Sequence, residues 1–284
     1  MNYRHQFHAG NFADVMKHVL LVGLVRGLQR KAGGFVFLDT HAGRGIYELA
    51  QGGQGARLPR APEHPGGIGR ILGREGLPEP LAGYAVLVRG FNAVTQGIRF
   101  YPGSPRLVKL LARPQDRLVL CEQHAEEWGA LRAHFQRERK VSVQAMDGYL
   151  ALRAQLPPPE RRGLVLIDPP FEEPGEVKRI LDAMGEGLER FPGGTYAIWY
   201  PLTERVMVPE LLRGLTKLKP PPTLVADLIV EPDAEKMSGC GLVVVNPPWQ
   251  FDREIEPSLR VLADLLARAP GANASLRWLA PEKS

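Results

Sequence analysis

The feature that most constrains the fold is an alternation between short apolar runs and helical patterns along most of the chain. Seven apolar or β-branched runs have the length of strands, at 35–39, 117–122, 141–145, 164–167, 195–200, 223–230 and 241–246. Helical patterns separate most of them, at 124–138, 148–155, 174–190 and 203–215. Runs that are apolar on both faces are typical of parallel strands covered by helices on each side. The sequence therefore predicts a doubly wound α/β sheet of seven mostly parallel strands.

A helix is predicted over 12–30, before the first strand. Asn11 has the residue type of an N-cap, with Asp14 three residues later. The apolar residues that follow define one face of this helix: Phe12, Val15, Met16, Val19 and Leu20.

One spacing breaks the regular alternation, since 83 residues separate the strand ends at Asp39 and Glu122. A strand–helix–strand step needs about 30 residues. Residues 51–103 are rich in Gly and Pro and contain one helical run, so we expect a small, mostly helical inserted subdomain there. The main domain then comprises 1–50 and 104–284, and Ser104-Pro105 is predicted to be the N-cap and first position of the returning helix.

Charge and cysteine usage limit the class of protein. The formal net charge of +5 permits a polyanionic partner without requiring one. The two cysteines, Cys121 and Cys240, lie in or beside apolar runs, which excludes a disulfide scaffold and a cysteine-rich zinc site. No apolar stretch reaches the ~18 residues that span a bilayer, and the polar N-terminus is unlike a secretory signal. We therefore expect a cytoplasmic protein with no membrane partner.

Acidic residues follow four consecutive predicted strands: Asp39, Glu122, Asp147 and Asp168. The carboxyl ends of parallel strands meet at the edge of the sheet where ligands bind. An acid in the position of Glu122 can hold ribose hydroxyls. Asp147 can accept from an adenine amino group or cap the following helix, and the two roles are compatible.

The loop after the first strand contains Gly43 and Gly45 but has neither the G-x-G-x-x-G pattern nor a Walker lysine, which argues against a dinucleotide or triphosphate site. Small residues such as Gly43 let a ligand approach the backbone. Lys17 can offset the carboxylate of a ligand or be solvated. His18 and His41 can bind that carboxylate or merely pack the loop against the helix.

The most informative motif is Asp168-Pro169-Pro170-Phe171. An exocyclic amino group is a poor nucleophile because its lone pair is delocalised into the ring. A carboxylate and a backbone carbonyl that both accept from it localise that lone pair, and the prolines hold the carbonyl rigidly. Phe171 can stack on an extruded base. The alternative is a plain loop in which Asp168 caps the next helix.

A second copy of this pattern, Asn246-Pro247-Pro248-Trp249, follows the seventh predicted strand. We expect the fourth strand to lie beside the first and the seventh to lie at the far edge of the sheet. The first copy is therefore predicted to be functional and the second to be structural.

The N-terminal cluster Tyr3-Arg4-His5 combines an aromatic ring with positive charge, a pairing that suits unpaired RNA bases. Histidines also occur at positions 8, 18 and 41, but their spacing matches no metal-binding pattern, so no metal is predicted.

The Asp168–Phe171 tetrad follows the form [D/N/S]-P-P-[Y/F/W] of S-adenosylmethionine-dependent amino-methyltransferases. Longer stretches are more specific: YRHQFHAGN at 3–11, DTHAG at 39–43, YPGSP at 101–105, DGY at 147–149, WYP at 199–201 and NPPW at 246–249. With these stretches, from residue 3 to residue 249, the chain resembles the RlmJ family of 23S rRNA adenine-N6 methyltransferases.

This resemblance implies a Rossmann-like methyltransferase sheet and direct, in-line methyl transfer from S-adenosylmethionine to N6 of an adenine in 23S rRNA. Asp168 would be the catalytic acceptor, acting with Pro169 and Phe171; Phe171 departs from the tyrosine of the family pattern. The resemblance places six residues in the cofactor pocket: His18, His41, Ser104, Glu122, Asp147 and Gly148. The residue types and positions described above add Lys17, Asp39 and Gly43 to this predicted pocket. Tyr3 would contact rRNA, together with Arg4 and His5.

Two alternatives remain open at the level of sequence, an adenine-N6 methyltransferase that acts on DNA and a non-catalytic RNA-binding relic of the fold. An insertion of about 50 residues is small for a domain that reads DNA sequence. The expected partner is 23S rRNA, naked or in an early assembly state, with no obligate protein partner. The residues alone do not identify which adenine is methylated.

Overall fold

The structure, a computed structural model, describes residues 8–49, 61–95, 97–172, 174–204, 206 and 208–281. Its strands are β1 (Val36–Asp39), β2 (Ile46–Glu48), β3 (Phe100–Pro102), β4 (Arg117–Glu122), β5 (Val141–Ala145), β6 (Gly163–Ile167), β7 (Thr195–Leu202), β8 (Thr223–Ile229), β9 (Gly239–Val245) and β10 (Asn273–Ala280). Its α-helices are α1 (Phe12–Gln29), α2 (Leu81–Phe91), α3 (Ser104–Leu111), α4 (Ala125–Phe135), α5 (Gly148–Gln155), α6 (Glu176–Arg190), α7 (Val208–Lys217) and α8 (Phe251–Leu266).

Within the described ranges, eight strands form one sheet in the order β10-β8-β9-β7-β6-β1-β4-β5. β1 pairs in parallel with both β4 and β6, and β5 and β7 extend the parallel region on either side. The chain thus winds outwards from β1 in one direction and then crosses to its other side. The predicted doubly wound, mostly parallel α/β sheet is confirmed, and each of the seven predicted strands is present.

The expectation that the seventh predicted strand lies at the far edge of the sheet is wrong. This strand, β9, lies between β7 and β8 and is antiparallel to both. The edge position belongs to β10, an eighth strand that pairs antiparallel with β8. An apolar run shows that a strand is buried on both faces, but it contains no information about direction.

Two apolar layers cover the sheet because alternate strand residues point to opposite faces. Phe37 packs in the layer formed with α1, α2 and α8. Val36 and Leu38 pack in the other layer, with α5, α6 and α7. This arrangement leaves the carboxyl ends of the parallel strands as an edge that the loops cover.

Residues 61–103 contain two short 3-10 turns, at His64–Gly66 and Ile68–Arg70, followed by α2. β2 and β3 form a separate antiparallel pair where this segment leaves and rejoins the main sheet. Side chains such as Tyr84 share one apolar core with α1. The division of the chain into a main domain and an inserted subdomain stays a prediction.

The beginning of α1 follows the predicted capping. The side chain of Asn11 accepts hydrogen bonds from the backbone N–H groups of Ala13 and Asp14, and the Asp14 carboxylate accepts from the N–H of Gly10. α1 is buried along nearly its whole length, so its polar side chains must find partners inside the protein. In the ranges that the structure describes, no helix is long and apolar enough to cross a membrane.

Candidate active site

The four strand-end acids lie on neighbouring strands. Asp39 ends β1 and Glu122 ends β4, while Asp147 and Asp168 follow β5 and β6. The chain changes its winding direction between β1 and β6, and the crevice at such a point is the usual ligand site of an open α/β sheet. Asp39 and Asp168 flank this crevice. The structure therefore brings the predicted acids together at one edge.

Asp39 is fully buried, and its carboxylate binds the chain that returns after the inserted segment. The hydroxyl of Ser104 donates to Asp39 Oδ2 at 2.7 Å, and the backbone N–H of His41 donates to Oδ1 at 3.3 Å. The prediction that Ser104 is an N-cap is wrong, because Gly103 caps α3 and Ser104 lies in its first turn. The Ser104 hydroxyl is therefore available to donate to the Asp39 carboxylate.

The loop after β1 is held against β4. The backbone N–H of Gly43 donates to Glu122 Oε2 at 2.9 Å, while Oε1 accepts from the N–H of His124 at 2.7 Å. Burial raises the pKa of Glu122, although these backbone donors partly offset the effect. Gly43 has φ +57°, and a Cβ there would lie 2.3 Å from the hydroxyl of Tyr47. Only glycine fits this close turn.

Asp147 and Gly148 pack against the same loop from β5. Asp147 Oδ1 caps α5 by accepting from the N–H of Tyr149 at 2.8 Å, and Oδ2 accepts from Arg179 at 2.9 Å. A Cβ on Gly148 would lie 2.0 Å from the carbonyl oxygen of Thr40. The capping role of Asp147 is therefore confirmed, and Gly148 lies directly against the loop after β1.

His41 is partly buried in this loop, with its Nδ1 2.8 Å from the hydroxyl of Thr40 and its ring edge-on to Tyr149 at 5.2 Å. Burial lowers the pKa of His41 to about 4, despite the nearby carboxylates of Asp168 and Asp147. The imidazole is consequently neutral at pH 7 and can donate or accept a hydrogen bond.

Lys17 connects α1 to the loop after β6. Its Nζ lies 2.6 Å from Asp168 Oδ2 and 2.9 Å from Asp14 Oδ1. Burial disfavours the ammonium charge, but the carboxylates of Asp14 and Asp168 outweigh it and hold the pKa of Lys17 well above its usual value. Lys17 is 5% exposed, so the alternative of a solvated lysine is wrong.

The Asp168–Phe171 loop is strained at its aromatic residue. Phe171 has φ +51°, a left-handed conformation that is rare for a bulky side chain and costs roughly 1–3 kcal/mol. Its ring packs edge-on against Trp199, with the ring centroids 6.0 Å apart. Trp199 in turn lies 5.7 Å from the ammonium of Lys17. Lys17 thus contacts both Asp168 and the Trp199 ring, and the Phe171 ring packs against Trp199.

The second motif, at 246–249, follows the end of β9, which lies beside the amino end of β7 and not beside the carboxyl ends where the acids gather. Val245 at the end of β9 pairs with Tyr196 near the start of β7, because the two strands are antiparallel. Asn246 Nδ2 donates to the carbonyl of Gly193 at 3.0 Å, and the hydroxyl of Thr195 donates to the carbonyl of Asn246 at 2.9 Å. Asn246 therefore holds a turn, and strand direction, rather than an edge position, separates it from the site.

The predicted substrate contacts Tyr3, Arg4 and His5 lie outside the described residues. Sequence reasoning also missed three site residues, Asp14, Arg179 and Trp199, which pair with residues that it selected. Asp14 was interpreted only as part of a helix cap, and Arg179 lies within an ordinary amphipathic helix. The single available signal was Lys17, whose position on a buried helix requires an acidic partner.

The charges of the site favour a cationic ligand. Five carboxylates gather around the crevice, at Asp14, Asp39, Glu122, Asp147 and Asp168. Within the described ranges, Lys17 pairs with Asp14 and Asp168, and Arg179 pairs with Asp147. Burial raises the pKa of Asp39 to about 7, and Asp168 raises it further while Ser104 and Lys17 oppose the shift. Desolvation is the largest cause of this shift, and the partners of Asp39 offset it only in part.

Asp39→Asn should change how stability depends on pH. Because Asp39 binds its proton more tightly in the folded chain than in the unfolded chain, where its pKa is about 4, it destabilises the fold as pH rises from 4 to 7. His41 has the opposite effect, since its lowered pKa makes stability rise between pH 4 and 6.5.

In the wild type these two contributions offset each other, so in Asp39→Asn the melting temperature should rise more steeply with pH. We expect the free energy of unfolding of Asp39→Asn to exceed that of wild type by on the order of a few kcal/mol at most, a difference that develops as the pH rises from 4 to 7. Thermal unfolding at several pH values measures it, with Asp182→Asn as an exposed control. Parallel curves for Asp39→Asn and wild type would contradict the burial of an ionisable Asp39.

Comparison with known proteins reveals clear relatives. The family described as "Ribosomal RNA large subunit methyltransferase D, RlmJ" matches residues 32–280. Two proteins named ribosomal RNA large subunit methyltransferase J are similar over 99% of this chain and 100% of their own length. The one from Escherichia coli K12 is 39% identical and the one from Haemophilus influenzae is 37% identical. The crystal structure of protein LPL1258 from Legionella pneumophila is 36% identical, with a TM-score of 0.86 over 95% of this chain and 97% of that one.

Proposed function

The chain belongs to the RlmJ family of ribosomal RNA large subunit methyltransferases, and on that basis we propose that it methylates N6 of an adenine in 23S rRNA. The proposed methyl donor is S-adenosylmethionine, and the proposed substrate is naked rRNA or an early assembly intermediate.

The observation that supports this proposal is the hydrogen bonding of the two oxygens of the Asp168 side chain. Lys17 occupies Oδ2 at 2.6 Å, and in the described part of the chain no donor lies within hydrogen-bonding distance of Oδ1. A carboxyl group with one oxygen held by Lys17 and the other available is suited to accept a hydrogen bond from an amino group. Pro169 fixes the adjoining backbone, and Phe171 and Trp199 supply aromatic surface for a base removed from its helix.

The donor set fits a cationic nucleoside cofactor. Within the described ranges, neither Asp39 nor Glu122 forms an ion pair, and the turns at Gly43 and Gly148 bring the loop backbone close to the strand ends. His18, His41, Ser104, Glu122 and Asp147 would hold the cofactor together with these residues. When bound, S-adenosylmethionine supplies an electrophilic methyl group on a cationic sulfur.

The chain's own residues then prepare the amino group of adenine for attack. Asp168 Oδ1 and the backbone carbonyl beside Pro169 accept its two N–H groups and localise the nitrogen lone pair. Such fixed acceptors in a site that excludes water are worth several kcal/mol, roughly the scale of an oxyanion-hole donor. Lys17 keeps the carboxylate oriented while the base enters.

Covalent catalysis by cysteine is not part of this proposal. Burial raises the pKa of the Cys121 thiol to about 12 and raises that of Cys240 further. Neither thiol forms the thiolate needed for nucleophilic attack near neutral pH.

Assays with purified full-length protein separate the proposed function from its alternatives. Deproteinised 23S rRNA from cells that lack this gene should acquire N6-methyladenosine, whereas bare duplex DNA should not. Methylation of DNA in preference to rRNA would identify a DNA methyltransferase. A non-catalytic relic would bind RNA but give no heat on titration with S-adenosylmethionine.

Asn246→Ala distinguishes the two proline motifs. Loss of the side-chain bond to Gly193, together with the left-handed φ of +52°, should lower stability by about 1–2 kcal/mol. Turnover at a temperature where the variant is folded should equal that of the wild type, as measured by methyl transfer to rRNA. A selective loss of turnover in a folded variant would move the catalytic role to the second motif.

A further inference from the structure

A buried chain of hydroxyl groups connects the 51–103 segment to a proposed cofactor residue. The Tyr101 hydroxyl lies 2.6 Å from His18 Nδ1 and 2.8 Å from the hydroxyl of Tyr84. Tyr84 and Tyr101 are fully buried and His18 is 2% exposed. Tyr84 belongs to α2 and Tyr101 to β3, so both hydroxyls come from the segment that interrupts the main sheet.

The direction of these hydrogen bonds follows from which groups carry a proton and which acceptors lie within reach. Burial raises the pKa of both tyrosines, and the carboxylate of Asp14 raises them further, so each hydroxyl keeps its proton at neutral pH. In the described part of the chain, the Tyr84 hydroxyl has one hydrogen-bonding partner, the oxygen of Tyr101. A buried hydroxyl proton without an acceptor costs about 1–3 kcal/mol, so Tyr84 donates to Tyr101.

Tyr101 must then donate its own proton onwards, and the acceptor within reach is Nδ1 of His18. A neutral imidazole that accepts at Nδ1 carries its proton on Nε2. The opposite direction would require His18 to donate to Tyr101, Tyr101 to donate to Tyr84, and the proton of Tyr84 to remain without an acceptor. The ring of His18 also stacks on that of Tyr101, with the centroids 5.6 Å apart, which fixes the orientation of the imidazole.

We propose that Tyr84 and Tyr101 are positioning residues that hold His18 as the Nε2–H tautomer, so that the inserted segment prepares the cofactor pocket. The tautomer follows from the hydrogen bonds of two buried, protonated tyrosines, whereas its consequence for cofactor binding rests on the proposed function. A histidine held in this form presents a hydrogen-bond donor without rearrangement, as a pocket for an anionic carboxylate requires.

Nitrogen-15 NMR of the ligand-free, full-length protein tests the tautomer, with the signal of His18 assigned by its absence in His18→Gln. In the wild type, Nδ1 should be unprotonated and Nε2 protonated. Tyr101→Phe should move both nitrogen shifts towards a mixture of tautomers, and Tyr84→Phe should move them less. Tyr196→Phe is the matched control, since its hydroxyl is also buried and donates to backbone carbonyls at 2.7 and 2.9 Å outside the site.

Calorimetric titration with S-adenosylhomocysteine tests the consequence. Tyr101→Phe should bind on the order of tenfold more weakly than wild type, whereas Tyr196→Phe should bind normally. A wild-type His18 protonated on Nδ1 would overturn the proposal even if Tyr101→Phe does not fold, and so would unchanged affinity in a folded Tyr101→Phe. If the wild type does not bind S-adenosylhomocysteine at all, the proposed function fails, and the tautomer is still decided by NMR.

Discussion

Asp168→Ala should reduce methyl transfer to rRNA by about a thousandfold, the effect of removing one preorganised hydrogen-bonding partner from a site closed to water. The loss should appear in kcat, because the acceptor acts on the amino group as it becomes nucleophilic. Asp168→Asn keeps an acceptor oxygen and matches the wider motif form, so its activity should lie between those of wild type and Asp168→Ala.

The fold should tolerate Asp168→Ala because Lys17 keeps its ion pair with Asp14. Affinity for S-adenosylhomocysteine and the melting temperature should therefore stay close to those of wild type. Asp182→Ala provides the control, since its carboxylate forms an exposed pair with Lys178. Wild-type turnover in folded Asp168→Ala would exclude Asp168 as the acceptor.

Lys17→Met should damage both stability and catalysis. Without the ammonium, the carboxylates of Asp14 and Asp168 face each other in a buried site, and removing one partner from such a cluster costs about 3–5 kcal/mol. Asp168 also loses the bond that orients it. A small displacement of a catalytic group reduces turnover on the order of a hundredfold, so we expect that loss even where the variant is folded.

A second substitution separates the two effects. Asp14→Asn in the Lys17→Met background removes one of the opposed charges and should restore part of the melting temperature while leaving turnover low. Lys178→Met, at an exposed pair, should change neither quantity. If Lys17→Met matched wild type in both, the buried cluster would have no role in the site.

The central sheet was predictable because its buried strands are apolar on both faces, and such strands appear in the sequence as short apolar runs. β10 was missed because it has no continuous apolar run: exposed residues such as Asn273 and Arg277 alternate with half-buried ones. α8 was missed too; it directly follows the second proline motif and contains Pro257 within its length. The direction of β9 is determined by its pairing and leaves no local pattern.

Some residues of the candidate site were likewise predictable from the sequence and others were not. Acids at strand ends were predictable because topology brings the ends of parallel strands together. The partners of Lys17 were not, since Asp168 lies 151 residues away and only the path of α1 beneath the loop brings the two together. The hydroxyl chain through Tyr84 and Tyr101 depends likewise on how the 61–103 segment packs against α1.

Mass spectrometry of 23S rRNA can test whether this chain methylates an adenine in the cell. In rRNA from cells that lack this gene, one adenine should lose its N6-methyl group. The wild-type gene should restore that group and the Asp168→Ala gene should not, although both proteins accumulate. An unchanged methylation pattern in the deletion strain, or full restoration by Asp168→Ala, would contradict the account.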